Sequence, residues 1–115
     1  FHGRQDSLII KGGENIYPAE LENVFYKHPN VDECGVIGIP DKLLGEDICA
    51  FVKIKNESQL TKNDLEKFCK NKIAYYKQAK KIIIINNLMD LSEIPKGPTK
   101  KILYRKLKEY YRNSF

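Results

Sequence analysis

The residues of this chain best suited to act on an anion are the lysines of a proline-rich stretch near its end. Residues 94–103 read IPKGPTKKIL. The two prolines and the glycine disfavour helix and sheet, so we predict an exposed, semi-rigid loop. Thr99 is predicted to cap a helix that begins near Lys101. A lysine on such a loop can reach out of its own domain towards an anionic group, although a solvated basic loop is an alternative interpretation.

The positive charge of the chain is concentrated in its second half. The net charge is +5, with a balance of −4 over residues 1–60 and +9 over residues 61–115. A basic half can serve nucleic acid, an anionic membrane or a phosphorylated small molecule, or be a lysine-rich surface with no partner. Most of the lysines are scattered between apolar residues and the chain has three arginines. This distribution disfavours nucleic acid, which we do not expect as a partner.

The cysteines and the apolar runs narrow the class of protein further. Cys34, Cys49 and Cys69 are odd in number, widely spaced and set in apolar segments, with no CxxC pair. They predict buried free thiols in a reducing compartment, and neither a metal site nor a disulfide. No apolar run is long enough to span a membrane. We therefore predict a cytoplasmic location.

The elements that must position the lysine loop follow from hydrophobic spacing and turn residues. Their order predicts an α+β fold: a small mixed β-sheet with packed helices and an N-terminal β-hairpin. The apolar run at residues 82–85 is predicted to be a central strand of that sheet. The hairpin turns at Gly12-Gly13, and the other predicted elements are a helix from Pro18, strands at 31–39 and 48–54, a capped helix from Thr61 and a final helix.

The length of 115 residues suits one domain, so we expect residues 1–115 to form a single domain. The chain opens at Phe1-His2-Gly3-Arg4 without an initiator methionine. We therefore expect a fragment of a longer protein.

Three stretches of the sequence resemble motifs of one enzyme family. Residues 3–22 read GRQDSLIIKGGENIYPAELE, residues 36–41 read VIGIPD with Gly45-Glu46 after them, and the third stretch is the loop at 95–101. Together they resemble the C-terminal domain of the AMP-forming acyl-CoA synthetases, in the acyl- and aryl-CoA ligase branch of the adenylate-forming enzymes. The resemblance covers essentially the whole chain, with the motifs in the family's order and spacing.

The resemblance implies the small C-terminal lid domain of a two-domain enzyme. In that family a large N-terminal domain holds ATP, Mg²⁺ and a carboxylic acid. The lid first closes over this domain for formation of the acyl-adenylate, and then rotates to present another face for thioester formation with CoA. The expected function is activation of a carboxylic acid as acyl-AMP and its transfer to CoA, and we expect the isolated domain to be inactive.

The resemblance also assigns a role to the loop lysine. Lys101 matches the family's catalytic lysine, because it precedes Ile102 and stands six residues after Pro95. A preorganised cation stabilises the charge that builds on the phosphoryl oxygens during adenylation. The chain departs from the family at Lys100, where relatives usually have glycine. If that position requires a positive φ, Lys100 is strained by about 1 kcal/mol or more.

Other matches to the family lie near the start of the chain. Asp6 matches the hinge residue about which the lid rotates, and Arg4 matches an arginine near the nucleotide. Gly12 and Gly13 match the loop that lines the pantetheine tunnel for CoA, where a missing Cβ allows close approach. Glu20 and Glu22 also match family acids, but a place on the helix surface is the preferred interpretation for both.

Two alternative functions remain open. The chain could belong to an adenylation domain that delivers its acyl group to a carrier protein, or be a free-standing basic module that binds nucleic acid. Tyr75 and Tyr76 stand among lysines and could stack on bases, although packing against the sheet is preferred. The acyl substrate is not predicted, because specificity is expected to reside in the N-terminal domain.

Overall fold

A mixed sheet of five strands is present in the computed structural model, which describes residues 7–56 and 58–115. The strands of this part are β1 (Ile9–Lys11), β2 (Glu14–Ile16), β3 (Val31–Asp41), β4 (Gly45–Ile54) and β5 (Lys81–Ile84). Its α-helices are α1 (Pro18–Tyr26), α2 (Lys62–Cys69) and α3 (Tyr104–Ser114), with short 3₁₀ turns at Tyr75–Lys77 and Ile85–Asn87. The predicted α+β class, mixed sheet and N-terminal hairpin are confirmed.

The long antiparallel hairpin of β3 and β4 is the frame of the sheet. Its pairing runs from Val31 opposite Ile54 to Asp41 opposite Gly45. The order of strands across the sheet is β2-β1-β4-β3. β5 runs parallel to β4 on the edge opposite β3. The prediction of a central β5 is wrong, since β4 is its one strand partner within the described residues. β5 is apolar on both faces because a separate apolar cluster covers each face of the sheet.

The two apolar clusters occupy opposite faces of the sheet. The first packs α1 and α2 on one face, and the second packs α3 and the chain before it on the other. Successive side chains of β5 enter the two clusters alternately, because the side chains of a strand point to opposite faces in turn. The first cluster contains Ile82 and Ile84 of β5, and the second contains Ile83 of β5 together with Ile85, the residue that follows the strand.

Of the two predicted helix caps, one is correct and one is wrong. Thr61 caps α2 as expected: its Oγ1 accepts from the Asp64 N–H at 3.2 Å, and Asp64 Oδ2 accepts from the Thr61 N–H at 2.9 Å. The predicted cap at Thr99 is wrong, because α3 begins at Tyr104. The preceding residues are instead held in an antiparallel bridge between Lys96 and Ile102, which keeps the chain extended up to the helix.

Two expectations about side-chain environment have opposite outcomes. Cys34, Cys49 and Cys69 are free and buried, as predicted. Burial raises the pKa of Cys49 to about 12 and that of Cys69 to about 11, so these thiols stay protonated at neutral pH. The expected packing of the tyrosine pair against the sheet is wrong: Tyr75 is 88% and Tyr76 44% exposed, because the 3₁₀ turn leaves them outside both clusters.

Gly35 in β3 leaves room for the second apolar cluster to reach the sheet. A Cβ at Gly35 would lie 2.6 Å from Leu107 Cδ1 of α3 and 3.3 Å from Ile94 Cγ2. Both neighbours are fully buried, with exposures of 0% and 1%. The missing side chain therefore decides how closely α3 and the segment entering the lysine loop approach β3.

Lys100 has a backbone conformation that normally belongs to glycine. Its φ is +64°, and it is the one non-glycine residue with positive φ in the described part of the chain. Side chains with a Cβ pay roughly 1–2 kcal/mol in this region. From the sequence, Lys100 was expected to be strained if this position has a positive φ. The φ is positive, so Lys100 carries local strain.

We expect Gly35→Ala to destabilise the chain by about 1–3 kcal/mol, because the added methyl overpacks a buried contact. Urea unfolding measures the difference. Gly97→Ala is the matched control, since a Cβ there lies at an ordinary 3.6 Å from Leu103 Cδ2. Equal unfolding midpoints for Gly35→Ala and the unchanged chain would contradict this account of the packing.

We expect Lys100→Gly to stabilise the chain by about 0.5–1 kcal/mol, the strain relieved less the entropy that glycine adds to the unfolded state. Thr99→Gly is the control, because its φ is not positive and glycine should only destabilise there. Thermal unfolding of both variants checks the sign. A lower midpoint for Lys100→Gly than for the unchanged chain would contradict the assignment of strain.

Candidate functional site

The segment 95–103, hereafter the Lys101 loop, is a small closed hairpin. The Leu103 N–H donates to the Pro95 carbonyl and the Gly97 N–H donates to the Lys101 carbonyl, both at 2.9 Å. A turn at its tip is closed by the Lys100 N–H, which donates to the Gly97 carbonyl at 2.9 Å. These bonds hold the backbone without a long helix or strand. The loop is therefore stiff at its base and exposed at its tip.

The cations of this loop are in different electrostatic situations. Lys96 Nζ lies 2.9 Å from Glu33 Oε2, so its charge is paired. The Lys101 side chain is exposed and has no hydrogen bond or ion pair with any described residue. Lys100 is also exposed. The loop thus presents two adjacent free ammonium groups. Of the two, Lys101 is the residue that the sequence predicts to be the catalytic lysine.

Glu33 of β3 holds the entry to the Lys101 loop. Its Oε1 accepts from the Ile94 N–H at 3.0 Å, while its Oε2 pairs with Lys96. Partial burial alone would raise the pKa of Glu33, but the hydrogen bonds from Lys96 and Ile94 outweigh it and lower the pKa below its usual value. Glu33 is therefore ionised at neutral pH.

Glu22 of α1 holds the exit from the loop. The Tyr104 hydroxyl, on the first residue of α3, lies 3.0 and 2.9 Å from the two carboxylate oxygens of Glu22. Oε2 also accepts from the Val36 N–H at 3.0 Å. Burial raises the pKa of Glu22, although the Val36 and Tyr104 hydrogen bonds act in the opposite direction. Glu22 is 6% exposed, so the interpretation as a helix-surface acid is wrong.

The Gly12-Gly13 turn, which was also predicted from the sequence as part of the site, is exposed. Both glycines have positive φ, +57° and +85°, as the turn between β1 and β2 requires. The Gly12 N–H donates to the Leu44 carbonyl at 2.9 Å. A Cβ on Gly13 would meet nothing within 4 Å, so the outer side of the turn faces open space.

Two side chains of β4 fix this turn to the sheet. Glu46 Oε1 accepts from the Ile10 N–H at 2.9 Å, and Lys11 Nζ lies 3.0 Å from Asp47 Oδ1. Gly38 accommodates the Glu46 side chain, since a Cβ there would lie 2.5 Å from Glu46 Oε2. The glycine turn is thus positioned by the beginning of β4.

The structure does not bring the Lys101 loop and the glycine turn together. Glu33, which holds the loop, and Asp41, which ends β3 beside the glycine turn, are eight residue steps apart on one strand. At about 3.3 Å a step, their separation along β3 is about 26 Å. The predicted site residues Arg4 and Asp6 lie outside the described residues.

Glu33 and Glu22 were not predicted as parts of the site. The signal for Glu22 was present, since Pro18, Leu21, Glu22 and Phe25 fall on one helical face and an acid stands inside that apolar stripe. Nothing near Glu33 in the sequence identifies Ile94 as its partner 61 residues later. In residues 7–56 and 58–115, no cluster of three or more His, Cys, Asp or Glu could hold a metal ion. No helix there is both long and apolar enough to cross a bilayer.

Comparisons with known proteins identify enzymes of one kind. A human protein named medium-chain acyl-CoA ligase ACSF2, mitochondrial, is 46% identical over 85 residues, which are 74% of this chain and 14% of that protein. A 2-succinylbenzoate–CoA ligase of Geobacillus sp. (strain WCH70) is 40% identical over 111 residues, 96% of this chain and 21% of the relative. The chain thus spans about a fifth or less of the length of these relatives.

Solved structures agree with the sequence relatives. A Mycobacterium tuberculosis fatty acyl CoA synthetase superposes with a TM-score of 0.83 and 38% identity, over 96% of this chain and 21% of that one. The AMP-binding enzyme C-terminal domain family matches residues 20–110, a span that contains Glu22, Glu33 and Lys101. The family resemblance noted in the sequence is confirmed: this chain belongs to the AMP-binding enzyme C-terminal domain family.

Proposed function

We propose that this chain is the lid domain of an ATP-dependent acyl-CoA ligase and that Lys101 is its adenylation lysine. The observation that carries the proposal is the exposed Lys101 ammonium group, unpaired within the described residues and set on a hairpin whose base is anchored to the sheet. Lys96 is less suited to this role, because Glu33 already neutralises it. Membership of the family supports a part in such an enzyme.

The proposed reaction has two steps. In the first, a substrate carboxylate oxygen forms a bond to the α-phosphorus of ATP and pyrophosphate leaves. In the second, the thiolate of CoA forms a bond to the acyl carbon and AMP leaves. Lys101 would stabilise negative charge on the phosphoryl oxygens in the first step, where a fixed cation in a dry site is most effective. The N-terminal domain would bind ATP, Mg²⁺ and the acid.

Other residues of the proposal serve the second step and the change between steps. Gly12 and Gly13 would line the path of the CoA pantetheine arm, a role supported by their positive φ and by the open space outside Gly13. Asp6 is proposed as the hinge and Arg4 as a nucleotide contact, on the family resemblance. We propose a cytoplasmic location on the sequence argument alone, although the human relative is named as mitochondrial.

The acceptor separates this proposal from its nearest alternative. An adenylation domain that serves a carrier protein would transfer its acyl group to holo-carrier protein and not to CoA. The names of the relatives favour CoA and suggest octanoate and 2-succinylbenzoate as probe acids within a wider panel. The nucleic-acid alternative would instead show submicromolar binding to RNA or DNA with a steep salt dependence.

We expect Lys101→Ala in the full-length enzyme to slow adenylation by roughly 10²–10³-fold, the scale for loss of one preorganised electrostatic contact. Pyrophosphate release with the acid panel measures this step. Thioester formation from supplied acyl-adenylate should be unaffected, because the phosphoryl transfer is already complete.

Lys100→Ala is the matched control, since it removes the adjacent exposed ammonium and leaves Lys101 in place. It should change adenylation far less than Lys101→Ala. A larger loss in Lys100→Ala would move the role to Lys100. An equal loss in both half-reactions of Lys101→Ala would contradict the proposed role of this lysine.

A further inference from the structure

We propose that Glu22 and Glu33 are positioning residues for Lys101, and that they act by fixing the two ends of the loop that carries it. The inference rests on the proposed function, because it supposes that Lys101 must be held in one place for adenylation. It adds two carboxylates, from different elements, that touch the loop and its flanks without touching Lys101.

The first carboxylate fixes the loop where it enters. Glu33 receives the Ile94 N–H and the Lys96 ammonium on separate oxygens, at 3.0 and 2.9 Å. Ile94 is also fully buried in the second apolar cluster. The Ile94 backbone, the Ile94 side chain and the Lys96 charge are therefore all held at the end where the loop begins.

The second carboxylate fixes the loop where it leaves. The Tyr104 hydroxyl donates to Glu22, which the Val36 N–H holds against β3. Tyr104 stands three residues after Lys101, and the bridge between Lys96 and Ile102 connects the two ends across the loop. A movement at Tyr104 would therefore be transmitted to the base of the hairpin.

The two carboxylates position the lysine without neutralising it. Glu33 is paired with Lys96 and Glu22 with a neutral hydroxyl, so the charge of Lys101 remains available for an anion. Preorganisation of a cation reduces the entropy lost on reaching the transition state, and a misplacement of about 1 Å can cost about 10²-fold in rate. Loosening one end of the loop should thus slow the step that Lys101 serves.

The test uses two variants of the full-length enzyme. Tyr104→Phe removes only the hydroxyl, and Glu33→Gln removes the charge that pairs with Lys96. We expect each to lower kcat for adenylation by about 10-fold, less than Lys101→Ala, with the KM for ATP and acid unchanged. Thioester formation from supplied acyl-adenylate should be unchanged. Hydrogen exchange of the Gly97, Lys100 and Leu103 amides should be faster in both variants.

The matched controls are acids that stand two residues before Glu22 and one residue before Glu33. Glu20→Gln removes an acid of α1 whose partner is Lys77, and Asp32→Asn removes an acid of β3 that lies 3.8 Å from Lys53. Neither acid contacts the Lys101 loop, so both variants should keep the adenylation rate. The double variant Lys101→Ala/Tyr104→Phe should be no slower than Lys101→Ala alone, since no ammonium remains to be positioned.

Each outcome decides between the two proposals. An effect of Lys101→Ala with none from Tyr104→Phe and Glu33→Gln would overturn the positioning inference and leave the proposed function intact. Equal losses in both half-reactions of Tyr104→Phe and Glu33→Gln would show a general structural role, and would also overturn it. If Lys101→Ala itself leaves adenylation unchanged, the proposed function fails and the positioning inference fails with it.

Discussion

The buried carboxylate of Glu22 is the interaction on which the arrangement of the site depends. It joins α1 to β3 through Val36 and to α3 through Tyr104, a residue 82 positions later in the chain. Burying a carboxylate is costly, and an unsatisfied buried group costs about 1–3 kcal/mol or more. Here two donors, the Val36 N–H and the Tyr104 hydroxyl, meet it, and within residues 7–56 and 58–115 no buried side-chain N or O atom lacks a partner. Helices on opposite faces of the sheet are thereby fixed to the same point.

The Lys101 loop combines a rigid base with a free tip. Ile94 and Ile102 attach the base to the apolar cluster beneath α3, and hairpin hydrogen bonds close the backbone. The exposed ammonium groups gain nothing from the fold, since no described residue pairs with them. Lys100 even costs stability through its positive φ. Such local strain is tolerated where the surrounding structure determines the backbone, as the two anchored ends do here.

Local signals in the sequence were sufficient for most elements, and non-local contacts account for the errors. The Thr61 capping box and the Gly12-Gly13 turn depend on residues a few positions apart, and both are confirmed. The start of α3 was misplaced because an antiparallel bridge to Lys96 holds the chain extended at Ile102. The central position predicted for β5 failed for a related reason, since helices and loops can bury an edge strand as fully as neighbouring strands do.

The candidate site was predictable to the extent that it consists of motifs. Lys101 and the glycines were identified from residue type, spacing and family resemblance, while their catalytic roles stay predictions. The carboxylates that hold the loop could not be predicted in this way, because their role depends on partners that are distant in the sequence. An acid inside the apolar stripe of α1 shows that a buried partner must exist, but only the folded chain identifies Tyr104 as that partner.

The positions of the two motifs on the sheet bear on how one domain could serve two steps. Glu33 and Asp41, near which the two motifs are held, are about 26 Å apart along β3, and every residue between them is paired with β4. Side-chain or loop motion cannot bring the two motifs to the same point across that distance. If, as proposed, Lys101 and the glycine turn act at one active site, rotation of the domain as a body would bring them there in turn. A stiff sheet is then a requirement of the mechanism, because rotation would place each motif accurately only if both were held firmly to the same frame.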